Sequence, residues 1–208
     1  VHKHMNAVMV LKAVNRGLEH AKNEFNSSPE IKDGSEPPFE YGIICCAMRM
    51  FQSGFSEYFT NIIDAHRYAP QKEVYSLASL ELARAAVIAR DEYGLPVVGF
   101  DLAGEESGYP ADDHIQAYQY AKKNFLKKTV HAGEAYGPES IFQAVTDLYA
   151  DRIGHGTYLL EPDAIQDDSI EDKDKYFDKL EIISVSDVFG EAIKRVVDGT
   201  SLSSMFKE

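Results

Sequence analysis

Four short apolar runs, each closing on a polar cluster, constrain this chain more than any other feature. They are residues 42–50 (GIICCAMRM), 97–104 (VVGFDLAG), 128–133 (KTVHAG) and 152–157 (RIGHGT). The first two lack the apolar–polar alternation of a half-exposed antiparallel sheet and read as strands buried on both faces. Segments of helical periodicity separate the runs, and that rhythm predicts parallel βα units and an α/β fold.

The helical segments follow from spacing and punctuation. Residues 5–25 repeat Met5, Val8, Met9, Leu11, Ala13, Val14, Leu18 and Ala21 at helical intervals. Residues 26–40 carry Pro29, Gly34, Pro37 and Pro38 among polar residues and predict a long loop. Further helices are expected over 56–68, 74–93, 112–125 and 138–150. Gly94 stands where a left-handed helix end belongs, and Pro138 at a first helical position. From Glu161 to Glu181 nine acidic residues and three lysines predict a solvated loop and surface helix. A last strand at 180–186 and helix at 187–197 close the pattern.

Charge and cysteine content narrow the functional classes. Against 21 basic residues stand 34 acidic ones, a net charge of −13, which repels phosphate backbones and anionic lipid. Nucleic-acid and membrane partners are therefore not expected, whereas small neutral or cationic substrates remain open. No run approaches the roughly 20 apolar residues of a membrane span, and no basic-then-apolar leader opens the sequence. Cys45 and Cys46, adjacent on one expected strand, point to opposite faces and make no disulfide framework. A reducing, cytoplasmic location is the expectation.

The chemistry is expected at one rim. Strand ends deposit Arg49, then Asp101 to Glu106, then His131 and Glu134, then His155 between Gly154 and Gly156. In parallel α/β folds the carboxyl ends of the strands converge on one face and carry the active site. A lone histidine closing a buried strand is ordinarily a satisfied core residue. Here Gly133 lets the chain turn so that His131 and Glu134 can face one pocket. A neutral imidazole suits zinc, and a nearby carboxylic acid can shuttle a proton. Glycine-rich phosphate loops, a serine elbow and the small zinc deaminase signature are absent from the sequence. His2 and His4 alternate, but no apolar strand precedes them, and they read as incidental.

In order and spacing, VVGFDLAGEE (97–106), HIQAYQYAKKNF (114–125), KKTVHAGEAYGPESI (127–141) and ADRIGHGT (150–157) resemble the adenosine deaminase family; YGIICCAMRM (41–50) resembles its third barrel strand. The resemblance covers about residues 5–178. It implies a (β/α)8 TIM-like barrel, of which this chain holds strands three to six, one zinc ion, and hydrolytic conversion of adenosine to inosine and ammonia. It further implies His131 as a zinc ligand, Glu134 as the acid that protonates purine N1, and His155 as the group beside the attacking water. Gly104 is implied to meet the purine ring through its amide, with Asp101 in a supporting substrate-site place.

Two family elements are not matched. The H-x-H pair of zinc ligands on the first barrel strand has no counterpart, nor has the Asp-Asp pair of the eighth, since Asp167-Asp168 lacks an apolar strand before it. The zinc site and activity are therefore expected to be incomplete in this chain. Residues 180–206 (LEIISVSDVFGEAIKRVVDGTSLSSMF) resemble instead the closing strand and helix of ribose-phosphate diphosphokinases. That implies a barrel domain over 1–179 and a separate segment over 180–208. Two alternatives stand beside the deaminase: a non-catalytic half-barrel that self-associates through uncovered strand edges, and a fusion related to phosphoribosyl pyrophosphate synthetases.

Overall fold

The computed structural model describes residues 5–159 and 186–198. In chain order it contains α1 (Ala7–Asn26), α2 (Pro29–Lys32), β1 (Ile43–Met48), α3 (Glu57–Ala65), α4 (Gln71–Asp91) and β2 (Val97–Ala103). A single 3₁₀ turn (Ala111–His114) then precedes α5 (Ile115–Lys123), β3 (Lys127–Ala132), α6 (Pro138–Thr146), β4 (Arg152–His155) and α7 (Ser186–Asp198). The chain divides into two compact units, residues 1–16 with 41–171 and residues 17–40 with 172–208.

The first unit is the expected α/β array. Its four strands are all parallel in the order β1-β2-β3-β4. Parallel neighbours require a crossover, and α3 with α4, α5, and α6 supply the three. Local chemistry sets the boundaries. Asn6 accepts the Met9 amide at 2.9 Å at the start of α1, and Ser56 accepts that of Phe59 at 3.2 Å to cap α3. Gly94 is left-handed at φ 62°, and Pro138 opens α6 after Gly137.

The core lies between the sheet and its helices. Phe100, Leu102, Val130 and Ala132 of the strands pack with Ala83, Ala86 and Ala89 of α4 and Ala117, Tyr118 and Ala121 of α5. The small alanines let helix backbones approach the sheet. Burying Phe100 and Leu102 completely contributes about 1.5–3 kcal/mol each. The Tyr118 hydroxyl donates to the Thr129 carbonyl at 2.6 Å, so its buried polar end is satisfied. A smaller cluster of Phe51, Ile62, Val74, Tyr75 and Ala78 sits under α3, with Phe51 stacked on Phe59 at 4.2 Å.

Three expectations change. β1 is not buried on both faces: Ile43, Cys45 and Ala47 face the core, while Ile44 is 45% exposed and Cys46 is exposed. Apolar composition records suitability for burial; helices cover only one side of this strand. The loop at 26–40 contains the one-turn helix α2, because Ser28 caps it and Pro29 pre-sets its first turn. The helix expected over 112–125 splits into the 3₁₀ turn and α5 and ends at Lys123, since Phe125 takes a left-handed φ of 58°.

In the second unit, α2 and the segment to residue 40 fold back on the end of α1. Asn26 donates its side-chain amide to the Phe39 carbonyl at 3.0 Å and accepts the Phe39 amide at 2.7 Å. Helix α7 coincides with the expected terminal helix. The expected strand at 180–186, the acidic stretch 161–181, the join near 179, His2 and His4 fall wholly or mostly outside the described residues. No helix among the described residues is long and apolar enough to cross a membrane.

Candidate active site

Because the strands are parallel, the residues after Met48, Ala103, Ala132 and His155 lie at one edge of the sheet. Three of the predicted residues meet there. The His131 and His155 rings stand 5.4 Å apart, centroid to centroid, and His155 Nε2 lies 3.5 Å from Glu134 Oε2. All three side chains reach solvent, that of Glu134 being 59% exposed and that of His131 39%. A substrate can therefore approach them from outside.

Backbone conformation makes the meeting possible. His131 pairs with Gly154 across the β3–β4 ladder, and Ala132 with His155. A Cβ at position 154 would stand 3.4 Å from the His131 ring, so glycine there leaves the imidazole unobstructed. His155 adopts φ 64°, a left-handed conformation that costs a non-glycine residue about 1–2 kcal/mol. Regular extended geometry at His155 would keep its side chain on the helix-covered face with Ala132; the left-handed turn brings it to the rim.

His131 is held from behind. Its Nδ1 lies 3.1 Å from the Leu102 carbonyl oxygen and 3.1 Å from Asp101 Oδ2. Both partners accept, so Nδ1 carries the proton and Nε2 presents its lone pair. Asp101 is buried, and its other oxygen accepts the Leu102 amide at 2.8 Å. Gly104 ends β2 at φ 106° beside Met48 and Arg49, where a Cβ would lie 3.4 Å from the Met48 methyl.

Two groups of the expected strand-end clusters, given no role by the sequence, are part of the site: Glu106 and Arg49. Glu106 is buried behind the Glu134 loop; its signal was an acidic residue at a strand end, indistinguishable there from the exposed Glu105. Its Oε1 accepts the Gly133 amide at 2.7 Å and the Ser140 hydroxyl. Its Oε2 accepts the amides of Glu134 at 2.9 Å, Tyr136 at 2.8 Å and Ala135. Burial pushes this carboxyl up, but the bonds from Ala135, Ser140, Tyr136 and Gly133 together hold it below the ordinary glutamate value. Arg49, fully buried, donates to the Tyr109 carbonyl at 2.6 Å and the His131 carbonyl at 2.8 Å and stands 4.0 Å from Glu106.

A zinc site needs three or four ligands. His131 Nε2 fits one of them, but among the described residues no three His, Cys, Asp or Glu side chains are grouped to hold an ion. These residues fit one corner of a zinc site and do not make a complete one. Nor do the cysteines offer a nucleophile: burial raises the Cys45 thiol to about 11, and partial desolvation of Cys46, a residue with exposed surface, together with the nearby Asp101 charge raises its thiol to about 12. A largely apolar cavity of about 400 Å³ beside β1, lined by Met48, Phe51, Phe59 and Leu82 among others, includes none of the three rim residues.

Comparison with known proteins bears on this geometry. The sequence model of the adenosine deaminase family matches residues 3–196, running past the change of resemblance expected near residue 179. The chain is 44% identical over 94 residues to adenosine deaminase 1 of Streptomyces coelicolor, and 42% identical over 87 residues to an adenosine deaminase of Mycolicibacterium vanbaalenii. Those stretches are 45% and 42% of this chain, and 23% of each relative. The chain thus spans under a quarter of the length of these relatives. In fold it is similar to an amidohydrolase from Burkholderia ambifaria solved with bound Zn, at TM-score 0.54 and 17% identity over 76% of this chain and 34% of that one.

Proposed function

The chain belongs to the adenosine deaminase family, and from that premise we propose that its strand-end rim serves the hydrolytic deamination of a 6-aminopurine nucleoside, with adenosine the substrate. The observation that carries this reading is the convergence of His131, Glu134 and His155 at one solvent-accessible edge. In the reaction water adds its oxygen to C6 of the purine, the C6–N bond breaks, and inosine and ammonia leave.

Each residue has a role its position supports. Glu134, exposed and unencumbered by structural bonds through its side chain, donates a proton to purine N1 and makes C6 electrophilic. His155, within reach of Glu134, orients the attacking water and takes its proton. His131 offers Nε2 as the one zinc ligand of this segment, with Asp101 and Leu102 fixing its tautomer. Zinc would need further ligands from residues other than those described. Gly104 is assigned to the purine through its amide, with Asp101 acting through His131.

Ammonia release from adenosine by the purified chain tests the proposal. Turnover that Glu134→Gln reduces by about 10²–10⁴-fold supports it. No ammonia from the chain, with or without added zinc, refutes it for this polypeptide. A second reading is favoured by one observation: Ile44 and Val98, 45% and 52% exposed, sit on strands β1 and β2. Exposed apolar strand surface suits self-association, and sedimentation as a stable monomer would rule that out.

A further inference from the structure

Four consecutive backbone amides, those of residues 133–136, point at a single buried carboxylate, Glu106. Successive amides converging in this way form an anion-binding nest. Here the anion belongs to the protein and comes from the end of the neighbouring strand, with the Ser140 hydroxyl as a fifth donor and Arg49 as counter-charge at 4.0 Å. The loop is strung between two left-handed glycines, Gly133 at φ 75° and Gly137 at φ 85°. Backbone freedom at both ends leaves the segment without a shape of its own, so external bonds must define it.

One of the four donors is the amide of Glu134, whose side chain points the other way, to solvent and His155. We propose that Glu106 is a positioning residue for Glu134: seated in the ring of amides, its carboxylate fixes the loop so that the Glu134 side chain faces His155. Arg49 completes the device by tying the same region to the His131 carbonyl, so that loop and β3 are held by one buried ion pair. The proposal deepens the deaminase reading and rests on it for the role of Glu134, while the geometry that Glu106 enforces is measurable without turnover.

The experiment uses nuclear magnetic resonance on the whole chain, with formate as probe. In the wild type, the nitrogens of residues 133–136 show through-hydrogen-bond coupling to the Glu106 carboxyl carbon, and His155 ring protons show a nuclear Overhauser contact with the Glu134 side chain. In Glu106→Ala, amide exchange at 133–136 accelerates about tenfold or more, as loss of a charge-assisted bond requires. The His155–Glu134 contact is lost, and added formate, refilling the nest, restores both. Where adenosine turns over, kcat falls about a hundredfold with KM little changed, and formate recovers it.

Absence of the wild-type couplings overturns the proposal, including where Glu106→Ala fails to fold. So does a folded Glu106→Ala that keeps the His155–Glu134 contact. An intact coupling and contact pattern in a chain without turnover leaves Glu106 in its place and retires the deaminase reading alone.

Discussion

Oδ2 of Asp101, on β2, stands 3.1 Å from Nδ1 of His131, on β3, and the pair dictates which imidazole nitrogen faces the rim. Because the Leu102 carbonyl shares the same ring nitrogen at 3.1 Å, Nδ1 is the protonated one. Nitrogen-15 shifts of the His131 ring should therefore report the Nδ1–H tautomer. Asp101→Ala removes one of two acceptors and should mix the tautomers without unfolding the chain. A wild-type Nε2–H tautomer would contradict the assignment of His131 as a metal ligand.

The Glu134 loop should tolerate no side chain at position 133. Gly133 is left-handed at φ 75°, and a Cβ there would lie 2.6 and 2.8 Å from two Ile141 carbons. Gly133→Ala therefore adds overpacking to backbone strain and is expected to cost about 2–5 kcal/mol. Gly108, at φ 82° with open space around it, supplies the control: Gly108→Ala should cost about 1–2 kcal/mol through strain alone. Denaturant titration of both variants separates the contributions.

His155 should be held at a cost in stability. Its left-handed backbone at φ 64° would suit glycine better. His155→Gly is expected to leave the denaturation midpoint unchanged or higher; under the proposed deaminase function, adenosine turnover falls by about 10²-fold or more. Glu134→Gln should likewise spare stability, since the carboxyl it alters is largely solvent-exposed. A large loss of stability in either variant would show the residue to be structural.

Acid should weaken the fold through a buried histidine beside Arg49. His114 Nδ1 lies 2.7 Å from the Ser79 hydroxyl, and the ring is buried beside Arg49. Burial, then the neighbouring Arg49 charge, depresses the imidazole to about 4 from 6.5. Between those values the unfolded chain binds the extra proton and the native protein does not. Stability therefore falls as pH drops from 6.5 towards 4, by about 3 kcal/mol in all. Glu106, held below the ordinary glutamate range, acts in the same direction at lower pH: its contribution is present above the unfolded value and is lost as pH falls through the folded one. Urea titrations from pH 7 to 4 should show the slope, and His114→Gln should flatten its upper part.

Much of this protein was legible in its amino acids. The alternation of apolar runs and helical periods determines parallel βα units, because strand and helix periodicities are written locally in which positions are apolar. Gly94 and Pro138 mark helix ends for reasons internal to their own backbones. The placing of positions 131, 134 and 155 at one edge follows from parallel strands, which must deliver their carboxyl ends to one side, whereas the left-handed backbone that turns the His155 side chain to the rim was decided by the structure. Other features were decided only by tertiary structure. Glu106 and Glu105 are the same residue type at the same strand end, yet only Glu106 meets five donors, which arrive from another βα unit. Ile44 and Ile43 are equally apolar, yet only Ile43 is covered. Local sequence fixes what a residue can do; which partner it meets depends on segments distant in the chain, and that information exists only once they pack.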